Sequence, residues 1–262
     1  TRKWLTGPNS RSADLGASLA DAQWISNVLQ AAGFDSVVSK VHARPVGTGQ
    51  IGDCVRFHLE YHGKASAAPA SVIGKFPSSN PESFNAGTAQ GDYAREVKFY
   101  RDLAKSALVA TPRCYLATLD ENTGQFVLLL EDMAEARQGD QLQGVSLDLV
   151  RAVIDEAAKL HASHWNDIAI EQLEWIRLTP RSPYALPKAE VIQRVCEAFC
   201  QRYAGQLSDR AIATCRRYAE RVDHYRALPR KHKGLAHYDF RPDNMMFAAS
   251  GNIRPVTILD WQ

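Results

Sequence analysis

The apolar pattern of this chain changes period at Asp132. Upstream, hydrophobic residues alternate with polar ones in short runs: Val55, Phe57 and Leu59 alternate with Arg56 and His58. Downstream they recur at helical spacing, as in Leu149, Val153, Ile154, Ala157 and Leu160. Alternation puts one set of side chains on one face of a strand, and the longer period builds one face of a helix. The chain is therefore expected to be α+β, with two lobes of unlike architecture. The first is an antiparallel sheet with one main helix; the second is mostly helical.

The punctuation refines this. Residues 1–17 read as a loose lead-in, and Ser18 is placed to cap a helix that ends near Gly33. Strands are expected within residues 37–61, around a glycine-rich turn, and over 71–76, 113–119 and 125–130. Residues 77–90 carry Pro, Ser, Asn and Gly and read as a loop. A helix is expected over 92–104, and others over 147–165, 189–203 and 209–225. The expected division is an N-terminal extension and helix (1–36), an N-lobe (37–132) and a C-lobe (133–262).

Composition narrows the classes of function. A formal net charge of +2 over 262 residues, with no basic run, gives no reason to expect nucleic acid. The longest apolar runs fall far short of the roughly 20 residues a membrane helix needs, so no membrane insertion is expected. Five scattered cysteines fit neither a disulfide framework nor a zinc ribbon and read as free thiols of a cytoplasmic protein. His161 and His164 lack a matching carboxylate or cysteine spacing and read as core or network histidines. Trp165, Trp175 and Trp261 read as packing residues.

The chemistry concentrates near residue 262. His237-Tyr-Asp239-Phe-Arg-Pro-Asp-Asn244 is followed by Ile258-Leu-Asp260-Trp-Gln262. Phosphoryl transfer asks a protein for little covalent chemistry. It needs a divalent metal at the phosphates and a group that orients the attacking hydroxyl. Magnesium takes hard oxygen ligands, one or two from the protein and the rest from phosphates and water. Asn244 and Asp260 fit as those ligands, and Asp239 as the carboxylate facing the hydroxyl. Gly47-Thr48-Gly49-Gln-Ile-Gly52 lies between strands, and its glycines let backbone amides approach phosphate oxygens. Lys75 sits on an otherwise apolar strand and needs a partner there. Glu96 is the natural one. Asp92, one helical turn earlier, is a second candidate expected to face solvent. Arg241 reads either as a solvated loop charge or as a fork for phosphate or an acidic substrate.

On these motifs the chain resembles the aminoglycoside phosphotransferase and choline kinase-like superfamily, a branch of the protein-kinase-like fold. Within it, the sequence looks most like the ecdysteroid-kinase-like and acyl-CoA-dehydrogenase-associated phosphotransferases. Tyr238 stands where that pattern usually has Gly. The resemblance spans roughly residues 37–262. It implies an ATP- and Mg2+-dependent transfer of the γ-phosphoryl group to a hydroxyl of a small molecule. It implies that Lys75 holds phosphate and Glu96 holds Lys75. It implies that the backbone of Glu131 and Met133 meets the adenine edge, that His237 orients the catalytic loop, and that further helices follow Gln262. The helices within residues 134–230 are expected to shape the acceptor pocket. Two other readings stand beside this one: a catalytically silent nucleotide-binding scaffold, and a protein kinase, which lacks support because no activation segment is visible. No oligomeric state follows from the sequence.

Overall fold

Helix α1 (Ala22–Ala31) begins where the Asp21 side chain accepts a hydrogen bond from the Trp24 N–H at 2.7 Å. The cap is thus Asp21, and Ser18 lies outside the described residues. The structure is a computed structural model that describes residues 21–47, 52–63, 67–176, 187–229, 231–248 and 254–262. These divide into two compact units, one within residues 166–233 and the other made of the remainder.

The larger unit holds a five-stranded antiparallel sheet. Its strands are β1 (Val38–Val46), β2 (Gly52–Tyr61), β3 (Ser71–Pro77), β4 (Cys114–Leu119) and β5 (Phe126–Glu131), in the order β1-β2-β3-β5-β4. Alternation works as the sequence implied. Val55, Phe57, Leu59, Val72, Phe76 and Leu129 form one buried cluster, and Ile25, Val28 and Leu29 of α1 cover it. Fully burying a side chain such as Phe57 contributes about 1.5–3 kcal/mol. Leu128, Leu129 and Leu130 of β5 are buried on both faces, which is why that strand reads as a continuous apolar run.

The segment expected to be a loop contains helix α2 (Pro81–Gln90). Asn80 caps it by accepting from the Glu82 and Ser83 N–H groups, Pro81 occupies the first turn, and Gly91 ends it at φ 77°. The same Pro, Asn and Gly that suggested a loop are the start and stop signals of a helix. Helix α3 (Asp92–Lys98) follows directly and runs into a π-helical turn at Phe99–Leu103. The helix expected over 92–104 is therefore α3 followed by a π-helical turn. Tyr93 of α3 packs on Phe126 with ring centroids 4.8 Å apart, on the sheet face away from α1. Asp92 does not face solvent. It is 1% exposed and accepts a hydrogen bond from Arg95 at 2.7 Å.

Beyond the sheet lie β6 (Arg137–Gln138), helix α4 (Leu147–Ser163), β7 (Met245–Phe247) and β8 (Val256–Ile258); β6, β7 and β8 form a second antiparallel sheet. Val256, Thr257 and Ile258 are all buried, so the chain leaves β8 from a fixed position. Trp261 then stacks on Phe99 with centroids 3.7 Å apart. Trp165 is only partly covered: it is 54% exposed, with one ring edge near Gly234.

The smaller unit contains α5 (Ile168–Glu171), α6 (Ala189–Arg202), α7 (Asp209–Glu220) and α8 (Val222–Ala227). Helices α6 and α7 pack together, and Arg216 holds Glu197 through two bonds of 3.0 Å. Among the described residues, no helix is long and apolar enough to cross a membrane.

Candidate active site

Lys75 points from β3 to the face opposite Val72 and Phe76. Its Nζ lies 2.7 Å from Glu96 Oε2 of α3 and 2.8 Å from Asp260 Oδ1, just past β8. Three segments far apart in sequence thus meet at one ammonium group. Glu96 is 2% exposed and Lys75 12%, so neither charge is tolerable alone. Burial acts against the Lys75 charge, but the two carboxylates outweigh it and hold the ammonium above its ordinary range. Burial also pushes the Glu96 carboxyl up, against the pull of Lys75. These tendencies oppose each other, since a raised carboxyl would favour a neutral glutamic acid. We assign the ion pair, because Lys75 is charged in either case and its shortest contact is to Glu96.

The loop that carries Asp239 is tied down by its own backbone and by Asn244. Asn244 Nδ2 donates to Asp239 Oδ2 at 2.8 Å and to the Asp239 carbonyl at 2.9 Å. Arg241 Nε donates to the same Oδ2 at 3.0 Å. Asp239 Oδ1 thus faces away from these two donors, on a side chain 55% exposed. The Leu259 N–H donates to the Asn244 carbonyl at 2.8 Å, and His237 Nε2 donates to the Leu259 carbonyl at 2.8 Å. The loop and the segment leading to Asp260 are thereby joined on both sides. Tyr238 keeps the loop path by adopting φ 67°, and Asp260 adopts φ 64°. Glycine takes this left-handed region without steric cost, whereas a tyrosine pays about 1–2 kcal/mol.

His237 is 5% exposed, and burial pulls its pKa below the ordinary 6.5, against the hydrogen bond to Leu259 and the charges of Asp260 and Asp239. A lowered imidazole pKa means that the unfolded chain binds the extra proton first as pH falls. The contribution of His237 to stability is therefore expected to be flat above about pH 6.5 and to decline below it. Thermal unfolding from pH 7.5 to 5 should show this decline in the wild type and a smaller one in His237→Gln.

The remaining expected residues fall as follows. Gly47, at φ 78°, and Gly52 bracket the glycine turn, while Thr48 and Gly49 lie outside the described residues. A Cβ on Gly52 would stand 3.4 Å from Lys75 Cε and 3.1 Å from the Phe76 carbonyl, so the turn ends over Lys75. The Glu131 N–H donates to the Arg113 carbonyl at 2.8 Å. Burial acts to raise the Glu131 carboxyl, but Arg254, at 2.7 and 3.2 Å, and the Arg113 N–H hold it below its ordinary range. The Met133 N–H has no hydrogen-bond partner among the described residues.

Several residues here escaped the sequence reading. Cys54 pairs with Lys75 across β2 and β3 and so shares its face. Burial pushes its thiol up to about 11, with Lys75 pulling the other way. The register of two neighbouring strands would have exposed this. Gly139 is a second. Its N–H donates to the Met245 carbonyl at 3.0 Å, and a Cβ there would meet the Pro242 carbonyl oxygen at 2.3 Å. Gln138 Nε2 donates to the Asp243 carbonyl at 2.7 Å. The β6 edge therefore grips the backbone of the Asp239 loop, and only glycine permits that approach. No local pattern signals it.

The group near Lys75 suits a hard cation by chemistry. Asp260 and Asn244 offer oxygen donors and no sulfur or imidazole, which matches magnesium shared with phosphates. Among the described residues, no three His, Cys, Asp or Glu side chains could enclose a metal by themselves.

Residues 75–262 match the model of a family described as the phosphotransferase enzyme family, APH. The chain belongs to this family. The match begins at Lys75 and ends past Asp260, so it takes in every charged residue of the cluster above. No curated protein matches the chain. Two similar solved structures are GDP complexes of aminoglycoside 2'-phosphotransferase-IIIa, one of a single-substitution mutant and one of the wild type. They are 14% and 13% identical to this chain, each with a TM-score of 0.43, covering 92% of this chain and 72% of theirs. The antiparallel sheet, the helix carrying Glu96 and the helical remainder give this member of the phosphotransferase family an α+β architecture.

Proposed function

We propose that this phosphotransferase moves the γ-phosphoryl group of ATP to a hydroxyl of a small molecule. The observation that carries this reading is the double contact of Lys75 with Glu96 and Asp260. It fixes the phosphate-binding cation beside a carboxylate suited to metal, and that carboxylate's segment is bonded to the Asp239 loop. In this reading residues 37–132 hold the nucleotide, and residues 133–262 supply the catalytic loop and the acceptor site. Free thiols at all five cysteines fit a reducing, cytoplasmic setting.

The residues divide the work. The amides around Gly47, Thr48, Gly49 and Gly52 cradle phosphate, and Lys75 neutralises it. The Met133 N–H, which has no partner among the described residues, and the Glu131 backbone meet the adenine edge. Asn244 and Asp260 would hold Mg2+, which offsets the phosphate charge when bound. Asp239 Oδ1 accepts the proton of the acceptor hydroxyl, while Arg241 and Asn244 hold Oδ2. The hydroxyl oxygen forms the new P–O bond, the bond to the β-phosphate breaks, and ADP leaves with its electron pair. His237 acts on Asp239 only through Leu259 and the loop, as a positioning residue.

Thermal unfolding with ATP, with and without Mg2+, tests the nucleotide half. The melting temperature is expected to rise with both together and to stay unchanged in Lys75→Met. No shift in the wild type would refute the reading. Cys54 reports on the same place. Its alkylation by a maleimide at pH 8 is expected to be slow, because the thiolate is scarce, and slower still with ATP and Mg2+ present. Equal rates with and without nucleotide would place the phosphates elsewhere.

Gly139→Ala tests the catalytic loop. The added methyl must push Pro242 away, and a misplacement near 1 Å costs about a hundredfold in rate. Turnover is expected to fall by roughly that factor, with ATP affinity unchanged.

A further inference from the structure

Charge is divided unevenly between the two units. Residues 166–233 contain thirteen Lys and Arg against eight Asp and Glu, whereas the rest of the chain has an acidic excess. Helix α7 carries Arg210, Arg216 and Arg217 against Asp209 and Glu220, and Arg221 stands at its C-cap. Arg210, Arg217 and Arg221 stand at i, i+7 and i+11 from Arg210, and at 3.6 residues per turn they point within about 20° of one direction. Ala219, 3% exposed, marks the opposite side, where α7 is buried. All three arginines are exposed, and among the described residues none has an ion-paired or hydrogen-bonded side-chain partner. Arg216, by contrast, is bound to Glu197. The stripe is about 16 Å long.

Beside the stripe sit two exposed rings. Tyr218 and Tyr225 are 48% and 50% exposed and touch edge to face, with centroids 6.2 Å apart. Unpaired guanidinium groups flanked by exposed tyrosines match a surface that offers anionic phosphates above an apolar layer. Basic residues favour such a surface by about 1 kcal/mol each, and tyrosine rings settle at headgroup level. A nucleic acid duplex offers the phosphates but has no apolar layer to receive the rings.

We propose that the Arg210 and Arg217 face of α7, with Arg221 at its C-cap and Tyr218 and Tyr225 beside it, docks on an anionic lipid surface. The docking is peripheral, with nothing crossing the bilayer. It is independent of the phosphoryl-transfer reading.

Co-sedimentation of the full chain with vesicles of phosphatidylcholine and about 30% phosphatidylglycerol tests this, beside pure phosphatidylcholine vesicles and a short DNA duplex. Binding is expected to the anionic vesicles at roughly 0.05 M salt and to vanish near 0.5 M. The triple variant R210Q/R217Q/R221Q should bind roughly 100-fold more weakly. Arg216→Gln should bind like the wild type, and matching melting temperatures would show that all variants fold. Failure to bind anionic vesicles, or binding that survives the triple variant, would overturn the proposal. So would equal binding to pure phosphatidylcholine, or preference for the duplex.

Discussion

Asp239→Asn is expected to lower phosphoryl transfer by about 10²–10⁴-fold while leaving ATP affinity intact. The amide replaces the oxygen that takes the hydroxyl proton with a group that cannot accept it. Size barely changes, and the oxygen of Asn can still receive the Asn244 bond now made to Oδ2 at 2.8 Å. The loop should therefore keep its path, because its ties to Leu259 and Gly139 are made by backbone atoms and by His237. An Arg241→Ala variant separates the two oxygens of the carboxylate. It removes only the 3.0 Å bond to Oδ2, so its effect should be smaller than that of Asp239→Asn.

The largest loss of stability is expected from Lys75→Met. Removing one partner of a buried ion pair leaves an uncompensated charge and costs about 3–5 kcal/mol. Here Glu96, 2% exposed, is left inside with Gln262 Nε2 3.5 Å away as the nearest remaining donor. For a chain of this size, that corresponds to roughly a 10 °C fall in melting temperature. Replacing both partners, as in Lys75→Met with Glu96→Leu, should recover much of this loss, since the desolvation cost of both charges disappears together. Nucleotide-dependent stabilisation should be absent from the double variant all the same. A double variant as unstable as Lys75→Met would mean that Asp260, not Glu96, carries the cost.

The pairing of Lys75 with Glu96 was legible in the sequence because each is costly alone in its setting, whereas Asp260 was read there only as a metal ligand and its contact with Lys75 was not foreseen. A lysine on an apolar strand and a glutamate inside a helix are costly alone, and a carboxylate at a strand end follows the loop motif in order. What could not be read depends on contacts between backbones. Gly139 matters for the carbonyl of Pro242, more than a hundred residues away, and no side chain records it. Cys54 faces the site only because of the β2–β3 register. Helix α2 was missed because Asn80, Pro81 and Gly91 serve turns and helix ends alike, and only hydrogen bonds distinguish them. Asp92 was misplaced because its partner, Arg95, turns back over the same helix and lets a charge lie buried near the first turn. Tyr238 looked like a break in the loop pattern, yet the backbone keeps its shape by taking φ 67°.

ATP carrying label on the γ-phosphate is incubated with Mg2+, the protein and a panel of hydroxyl-bearing small molecules, and labelled phosphomonoesters are separated. One or more labelled products are expected that require Mg2+ and vanish with Asp239→Asn. A protein that binds ATP and Mg2+ yet labels nothing across the panel, or an Asp239→Asn variant that labels as fast as the wild type, would contradict the proposed phosphoryl transfer.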